Sequence, residues 1–302
     1  MKKVVVVIGP TSVGKTALSI ALAKQHNGEI ISGDSIQVYR ELNIASAKVS
    51  MDERKEVKHH LIDILAINDN YSVAEFQRNC RILIDEITAQ QKLPMIVGGT
   101  GFYIKAALYD YLFVDENKAI KDFSSYSNDD LMSYLKQLDP QTALTIHINN
   151  RKRLVRAIEM AINGVKKSDV LLQQQHKPIY DAFLIGLTMP RDRLYERINA
   201  RVDSMFENGL FNEIDQLVQK YPELFSYQSM LGIGYREWQP YYEKKATLEQ
   251  VKDEIKKHSR QFAKRQYTWF NNQMNVKWYD IEEENLQDNI TGDLEKWLNN
   301  NG

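Results

Sequence analysis

Cysteine is almost missing from the sequence, which has one, Cys80, in 302 residues. One thiol excludes an intramolecular disulfide and any multi-cysteine zinc site, and it fits a reducing cytosol. Long hydrophobic runs are also missing, because no segment reaches the roughly 18 uncharged apolar residues that span a bilayer. The apolar run after Met-Lys-Lys has no small-residue cleavage site where a signal peptide needs one. We therefore expect a cytoplasmic protein with no membrane partner.

A surplus of charge of one sign is absent as well, because 39 Lys and Arg residues face 40 Asp and Glu residues, a formal net charge of −1. This balance gives no global indication of nucleic-acid binding, so any RNA or DNA site has to come from local clusters of Lys and Arg. Hydrophobic residues make up 43% of the chain and charged residues 26%, as in ordinary globular proteins. The chain should fold, and it is long enough for one large domain plus a smaller one.

Short apolar runs alternate with helical patterns in the first third of the chain. The runs at 4–8, 29–32 and 95–97 read as strands, and the longest helical pattern between them covers 74–91. An alternation of strands and helices is typical of a parallel sheet flanked by helices. We predict an α/β fold with a parallel sheet of the P-loop type.

The character of the sequence changes beyond the third strand, where polar stretches separate helical segments. The segment DAFLIGLT at 181–188 then reads as another buried strand, so the sheet resumes. We predict an inserted α-helical domain at 114–190. The catalytic core would consist of residues 1–113 and 191–302.

The stretch GPTSVGKT follows the first predicted strand and precedes a helix. Its residues match the phosphate-binding pattern G-x-x-x-x-G-K-[ST] at every fixed position: Gly9, Pro10, Thr11, Ser12, Val13, Gly14, Lys15 and Thr16. Backbone N–H groups of such a loop point at phosphate oxygens, and the helix N-terminus adds partial positive charge. Lys15 would bridge terminal phosphate oxygens, and Thr16 would offer its hydroxyl to Mg²⁺. The motif is shared with ATP-binding proteins. It predicts that the chain binds a diphosphate group, but it does not indicate which molecule carries that group.

The ends of the other strands differ from those of an ordinary nucleoside triphosphatase. Such an enzyme places an Asp after a later strand to hold Mg²⁺, whereas MIVGGTG carries Thr100, whose hydroxyl could contact phosphate. The nearest strand-end carboxylate is Asp34, in SGDSIQVY. Ligands of open α/β sheets bind at the carboxyl ends of the strands. Asp34 is therefore either a group that touches the substrate or a helix N-cap.

A series of segments resembles the bacterial tRNA dimethylallyltransferase family, also called tRNA isopentenyltransferases. In order along the chain they are GPTSVGKT, GDSIQVYRELNIASAK, HHLID, YSVAEF, IVGGTGFYIKAAL, NNRKRLVRAIE, RDRLYERINARVDSMFENGLFNEI, GIGYREW and SRQFAKRQYTWF. The resemblance implies transfer of a dimethylallyl group from dimethylallyl diphosphate to the exocyclic N6 of the tRNA adenosine just 3′ of the anticodon. The phosphate loop would then hold a prenyl diphosphate, and the diphosphate would leave.

The resemblance also implies roles for individual residues. Asp34 would be the general base, while Lys15 and Thr100 would act at the diphosphate with Mg²⁺ as the cofactor. The segments implied to contact the anticodon stem-loop of tRNA are Asp34, Ser35, Ile36 and Gln37, and Lys152, Arg153, Leu154, Val155 and Arg156. Arg236, in GIGYREW, could reach the diphosphate or the RNA, or could pair with a carboxylate.

Further residues could serve RNA recognition. A predicted helix at 248–270 carries basic residues every four positions beside an apolar stripe. These residues are Lys252, Lys256, Arg260 and Lys264. They would contact backbone phosphates, or they could form an ordinary solvated face. Gln37 could read an adenine edge, and Tyr39 or Phe102 could stack on a base.

Other functions remain open on the residues alone. A small-molecule kinase of the P-loop class would explain residues 9–16 and Asp34, but not Thr100 or the basic insertion. A prenyltransferase that acts on free adenine nucleotides would need no RNA platform. A non-enzymatic RNA-binding module would leave the phosphate loop unexplained. We favour a monomer, because tRNA is itself a large, asymmetric substrate.

Overall fold

The fold is built on a sheet of parallel strands, seen in a computed structural model that describes residues 1–113 and 121–300. The strands are β1 (Lys3–Ile8), β2 (Gly28–Ser32), β3 (His59–His60), β4 (Leu93–Gly98), β5 (Asp181–Thr188) and β6 (Lys277–Asp280). Their order across the sheet is β3-β2-β4-β1-β5-β6, and every neighbouring pair is parallel. The predicted α/β class is confirmed.

Helices connect the strands and extend the chain beyond them. They are α1 (Lys15–Gln25), α2 (Met51–Glu56), α3 (Val73–Ala89), α4 (Gly101–Leu108), α5 (Asn128–Leu138), α6 (Pro140–Ala143), α7 (Arg151–Ile162), α8 (Lys167–Gln173), α9 (Arg191–Glu207), α10 (Leu210–Lys220), α11 (Gln239–Tyr242), α12 (Leu248–Gln273) and α13 (Leu286–Asn299). Short 3₁₀ helices lie at Leu224–Ser226, Gln228–Leu231 and Arg236–Trp238. Within the described ranges, no helix is both long and apolar enough to cross a membrane.

Strand β1 lies in the interior of the sheet, between β4 and β5. Its residues from Val4 to Ile8 are all fully buried, which explains why the strand is an unbroken apolar run rather than an alternation. The phosphate loop follows directly from this strand. The loop therefore starts from a well-packed part of the molecule.

The chain divides into two compact units. The larger contains Met1–Leu108 and the described residues from Tyr180 onward, and the smaller is Tyr109–Ile179. The smaller unit has its own core, formed by Phe123, Leu131, Leu135, Ala143, Ile146, Leu154, Ala157 and Ile158. The expected insertion at 114–190 thus ends earlier than predicted, because β5 belongs to the sheet. Its expected first residues, 114–120, lie outside the described residues.

Two glycines bring the ends of β2 and β4 unusually close. The Gly33 N–H donates a hydrogen bond of 2.7 Å to the Val97 carbonyl. A Cβ atom added to Gly98 would lie only 2.5 Å from the Gly33 carbonyl oxygen. The next residue along the chain, Asp34, is therefore held beside the end of β4.

We expect Gly98→Ala to destabilise the larger unit by about 1–3 kcal/mol, because the added methyl group forces backbone to move. Gly292→Ala is the matched control, since a Cβ at this position in α13 meets nothing within 4 Å and alanine favours a helix. Chemical denaturation of both variants measures the difference. Equal stability of the two would contradict the close approach.

Candidate active site

Three of the predicted site segments lie at the carboxyl edge of three adjacent strands. Asp34 follows β2, Thr100 follows β4, and the phosphate loop follows β1. These strands are neighbours in the order β2-β4-β1. Parallel strands present their carboxyl ends at one edge of the sheet, where ligands of such folds bind.

The phosphate loop has the backbone of an anion-binding turn. Positive φ angles occur at Gly9 (147°), Ser12 (67°) and Gly14 (101°), which direct successive N–H groups inward. The Lys15 ammonium folds back over the loop and donates to the carbonyl oxygens of Gly9 at 3.0 Å and Pro10 at 2.7 Å. The Ser12 hydroxyl is buried and has no hydrogen-bond partner among the described residues. The loop therefore contains a polar atom that a bound phosphate would satisfy.

A buried glutamine, Gln266 of α12, fixes the phosphate loop to the end of β4. Its Oε1 accepts from the Thr11 N–H at 3.3 Å, and its Nε2 donates to the Gly99 carbonyl at 3.0 Å. The side chain is only 5% exposed. No local pattern in the sequence indicates this link, because Gln266 and its partners lie far apart along the chain. Gln266 positions two of the three strand-end loops relative to each other.

Two cavities meet at the site. The phosphate cavity, about 390 Å³, is lined by Gly14, Lys15, Thr16, Ser32, Gln37 and Gly99, among others. The apolar cavity, about 400 Å³, is lined by Ser35, Ile36, Tyr39, Thr100, Ile198, Val202, Met205, Ile255 and Arg236, among others. Both are lined by Thr11, Ser12, Asp34, Ser46, Arg201 and Phe262. These shared residues form a neck between the two cavities. The apolar cavity is named for the aliphatic and aromatic side chains in its wall, which also contains polar groups.

Asp34 lies in the neck with one carboxylate oxygen committed and one available. Its Oδ1 accepts from the backbone N–H of Ile36 at 2.8 Å and of Gln37 at 3.3 Å, so the residue closes its own turn. Its Oδ2 makes no hydrogen bond within the part of the chain that the structure describes. The helix N-cap that the sequence allowed is not observed, because Asp34 closes a turn and the next helix begins only at Met51. Contact with a substrate stays a prediction, and Asp34 lines both cavities.

Arg201 of α9 is a site residue that the sequence analysis missed. It lines both cavities, and burial lowers the pKa of its guanidinium although the nearby Asp34 charge raises it. Leu194, Ile198 and Val202 are the buried residues of α9. Arg201 is three positions after Ile198, on the same helical face. A basic residue on the otherwise apolar, buried face of a predicted helix could have identified Arg201 from the sequence.

Lys15 carries a perturbed pKa. Burial and the neighbouring Arg201 lower the pKa of its ammonium to about 7, and the Asp34 charge partly opposes the shift. A bound diphosphate would raise that pKa again, because opposite charge favours the protonated form.

We therefore expect diphosphate binding to take up about one proton at pH values well above 7 and to weaken as the pH rises, because the free ammonium is then mostly neutral. Near pH 6 Lys15 is already charged and contributes no uptake. Calorimetry in buffers of different ionisation enthalpy measures the uptake. Lys15→Arg is the control, since arginine stays charged. Equal uptake by this variant would assign the proton to another group.

Arg236 does not lie at the phosphate loop. It lines only the apolar cavity, and its Nε donates to Glu237 Oε1 at 2.9 Å. The carboxylate pairing that the sequence left open is therefore observed. Arg236 remains within reach of a ligand in the apolar cavity, whereas the arginine that faces the phosphate cavity is Arg201.

Of the three residues considered for base recognition, one is hydrogen-bonded within the chain, one is buried and one is exposed. The Gln37 amide is engaged within the chain, since Nε2 donates to the carbonyls of Ser46 at 3.2 Å and Ala47 at 3.3 Å. Its Oε1 accepts from the Ser32 hydroxyl. Tyr39 is 1% exposed, which leaves no face for stacking, whereas Phe102 is 43% exposed. Gln37 shapes the site by holding a neighbouring loop.

The basic segment of the smaller unit lies on α7. Lys152, Arg153 and Arg156 are exposed, while Leu154 is fully buried in that unit's core, and Val155 packs against the same core. The side chain of Leu154 therefore cannot reach RNA. The exposed basic side chains are the ones available for phosphate contacts.

The basic stripe on α12 is largely used within the protein. Lys252 and Lys256 each pair with Asp203 of α9 at 2.7 Å. The Arg260 guanidinium donates a hydrogen bond of 2.5 Å to the side-chain oxygen of Asn199 in α9. Lys264 is exposed. The first three residues of the expected stripe are therefore not free positive surface, because they tie α12 to α9. Their contact with phosphates stays a prediction.

Comparison with known proteins relates the chain to one enzyme family. The IPP transferase family profile matches residues 37–273. The tRNA dimethylallyltransferase of Macrococcus caseolyticus is 47% identical, over 92% of this chain and 91% of its own length, and that of Anoxybacillus flavithermus is 45% identical, over 94% and 92%.

Solved structures show the same relationship. The crystal structure of tRNA delta(2)-isopentenylpyrophosphate transferase from Staphylococcus epidermidis is 42% identical with a TM-score of 0.74, over 98% of this chain and 99% of that one. A eukaryotic dimethylallyltransferase acting on tRNA is 29% identical with a TM-score of 0.85, over 97% and 78%. The chain belongs to the IPP transferase family, the enzyme family of the tRNA dimethylallyltransferases.

Proposed function

We propose that this enzyme transfers a dimethylallyl group from dimethylallyl diphosphate to N6 of the tRNA adenosine next to the anticodon, releasing diphosphate. The observation that carries the proposal is the neck between the two cavities. There a carboxylate, Asp34, and a guanidinium, Arg201, face both a phosphate-binding compartment and an apolar one. Two substrates, one in each cavity, would meet at these groups.

The phosphate cavity accommodates the diphosphate. The loop N–H groups, the Lys15 ammonium and the Arg201 guanidinium hold the oxygens on which charge grows as the allylic C–O bond breaks. Thr100, just before α4, lines the apolar cavity and not the phosphate cavity, so its hydroxyl faces the acceptor rather than the diphosphate that the sequence analysis assigned to it. The five-carbon allylic group extends from the phosphate cavity into the neck.

The adenine enters through the apolar cavity. Its exocyclic amine is a weak nucleophile, because its lone pair is shared with the ring. The free Oδ2 of Asp34 orients the amine and accepts its proton as the new C–N bond forms and the C–O bond to the leaving diphosphate breaks. The products are the prenylated base, protonated Asp34 and diphosphate.

Mg²⁺ is the cofactor that fits the donor set. The Thr16 hydroxyl lines the phosphate cavity, and no group of three or more His, Cys, Asp or Glu side chains suited to a metal occurs among the described residues. A cation would therefore be held by Thr16 together with diphosphate oxygens, as expected for Mg²⁺. When bound, it neutralises charge on the leaving group.

The partner is the anticodon stem-loop of tRNA, whose unpaired bases can leave their stack at low cost. The turn from Asp34 to Gln37 lies where the base arrives. The exposed basic residues of α7 contact backbone phosphates. We propose that the enzyme acts as a monomer in the cytoplasm, because tRNA is itself a large, asymmetric substrate.

Neutralising Lys152 and Arg153 together is expected to weaken tRNA binding and to lower the slope of log K against log salt by about 1–2, because each lost phosphate contact releases one counterion fewer. The affinity for dimethylallyl diphosphate should not change. Filter binding over a series of salt concentrations measures both quantities. Replacing Arg151 is not informative, since its guanidinium bonds to the carbonyls of Phe123 and Tyr126. An unchanged slope would remove α7 from the RNA surface.

Labelled dimethylallyl diphosphate, offered with Mg²⁺ and either unmodified tRNA or AMP, tests the proposal against its nearest alternative. We expect label in tRNA and none in AMP. Equal labelling of AMP would assign the enzyme to free adenine nucleotides instead. Phosphate transfer from ATP without any prenyl transfer would assign it to the kinases.

A further inference from the structure

Leu231 is a large apolar side chain that the fold leaves in water. It is 60% exposed, although it lines the apolar cavity. It is the last residue of the 3₁₀ helix Gln228–Leu231. A single exposed leucine is ordinary on a protein surface. Its exposure alone therefore indicates no function, and the contacts of the residues around it have to be considered.

The residues before Leu231 are fixed in place. The Gln228 side chain accepts from the Tyr71 N–H at 3.1 Å and donates to the Tyr71 carbonyl at 3.0 Å. The Ser229 hydroxyl donates to the Ile67 carbonyl at 2.6 Å. Met230 is 2% exposed. Every member of this helix except Leu231 is therefore buried or hydrogen-bonded by its side chain.

The residue after Leu231 is also fixed, and it connects the turn to the catalytic carboxylate. A Cβ atom added to Gly232 would lie 2.9 Å from the side chain of Ile36. The Ile36 backbone N–H is bonded to Asp34. The backbone of Leu231 is thus anchored on both sides, and its exposed side chain lines the same cavity as Asp34.

We propose that Leu231 is a wedge that takes the place of the target base in the RNA stack when that base enters the apolar cavity. This inference rests on the proposed function. A stacked adenine has to leave its neighbours before it can reach Asp34, and unstacking is unfavourable. Proteins that open a base stack insert apolar side chains into the gap. A leucine on an anchored backbone performs this role with little loss of loop freedom on binding.

Base extrusion can be measured directly with an anticodon stem-loop that carries 2-aminopurine at the target position, because this base fluoresces more strongly when it is unstacked. The full-length protein is added without dimethylallyl diphosphate. We expect a rise in fluorescence with the unaltered protein and with Leu231→Met, and a much smaller rise with Leu231→Ala. Leu248→Ala, at another exposed leucine outside both cavities, is the matched control and should behave like the unaltered protein.

The same variants are then compared in turnover. Leu231→Ala should lower kcat/KM for tRNA roughly tenfold, the scale of burying one leucine side chain, and leave the affinity for dimethylallyl diphosphate unchanged. A full fluorescence rise and normal kcat/KM in Leu231→Ala would overturn the proposal, as would no rise with the unaltered protein. Failure of the proposed function is a separate result, because the unaltered protein would then transfer no label to tRNA.

Discussion

Asp34→Asn is expected to lower kcat for tRNA prenylation by about 10²- to 10⁴-fold, the usual contribution of a general base. Asparagine keeps the oxygen that accepts from the Ile36 and Gln37 N–H groups, so the turn should persist. It cannot take the proton from the exocyclic amine. Single-turnover kinetics at saturating concentrations of both substrates separate this chemical step from binding.

Asp34→Ala is the comparison that separates chemistry from structure. Alanine removes both the base and the acceptor of the two turn hydrogen bonds. We expect it to lose turnover to a similar extent and also to bind tRNA less well, since the turn is then free to rearrange. Near-normal turnover in Asp34→Asn would show that another group accepts the proton.

Arg201→Gln is expected to lower kcat/KM for dimethylallyl diphosphate by about 10²- to 10³-fold, the cost of removing one donor to a developing oxyanion. The guanidinium lies in the neck and faces the phosphate cavity. It also lowers the pKa of Lys15. The substitution should therefore move the onset of proton uptake on diphosphate binding to a higher pH, an effect that a merely structural role would not produce.

Arg197→Gln is the matched control for that variant. Arg197 is exposed on the same helix, one turn earlier, and lines neither cavity. We expect it to leave kcat/KM for dimethylallyl diphosphate and the proton uptake unchanged. Equal losses in both variants would indicate a general electrostatic effect of α9 rather than a contact at the neck.

The sequence predicted the central part of the fold because that part is locally encoded. The apolar run at 4–8 is buried on both faces, and the run at 181–188 is buried over residues 184–187. Glycines occupy two of the three phosphate-loop positions with positive φ angles, and Ser12 occupies the third. Short edge strands gave no comparable pattern. Strand β3 has two residues, His59 and His60, and is defined only by its pairing with β2.

The sequence could not predict which side chains meet across the fold. Arg201 and Gln266 reach the site from α9 and α12, and no local pattern specifies that these helices pass over the ends of β1 and β4. The same limitation explains the α12 stripe. A repeat of lysines looks like free positive surface until Asp203 is placed beside it.

The most direct test of the account is to locate the transferred group. The protein is incubated with Mg²⁺, labelled dimethylallyl diphosphate and either an unmodified tRNA or the same tRNA with guanosine in place of the adenosine next to the anticodon, and the products are digested to nucleosides. We predict label on N6 of that adenosine in the first tRNA and none in the second. Label in both tRNAs, or in neither, would contradict the central claim.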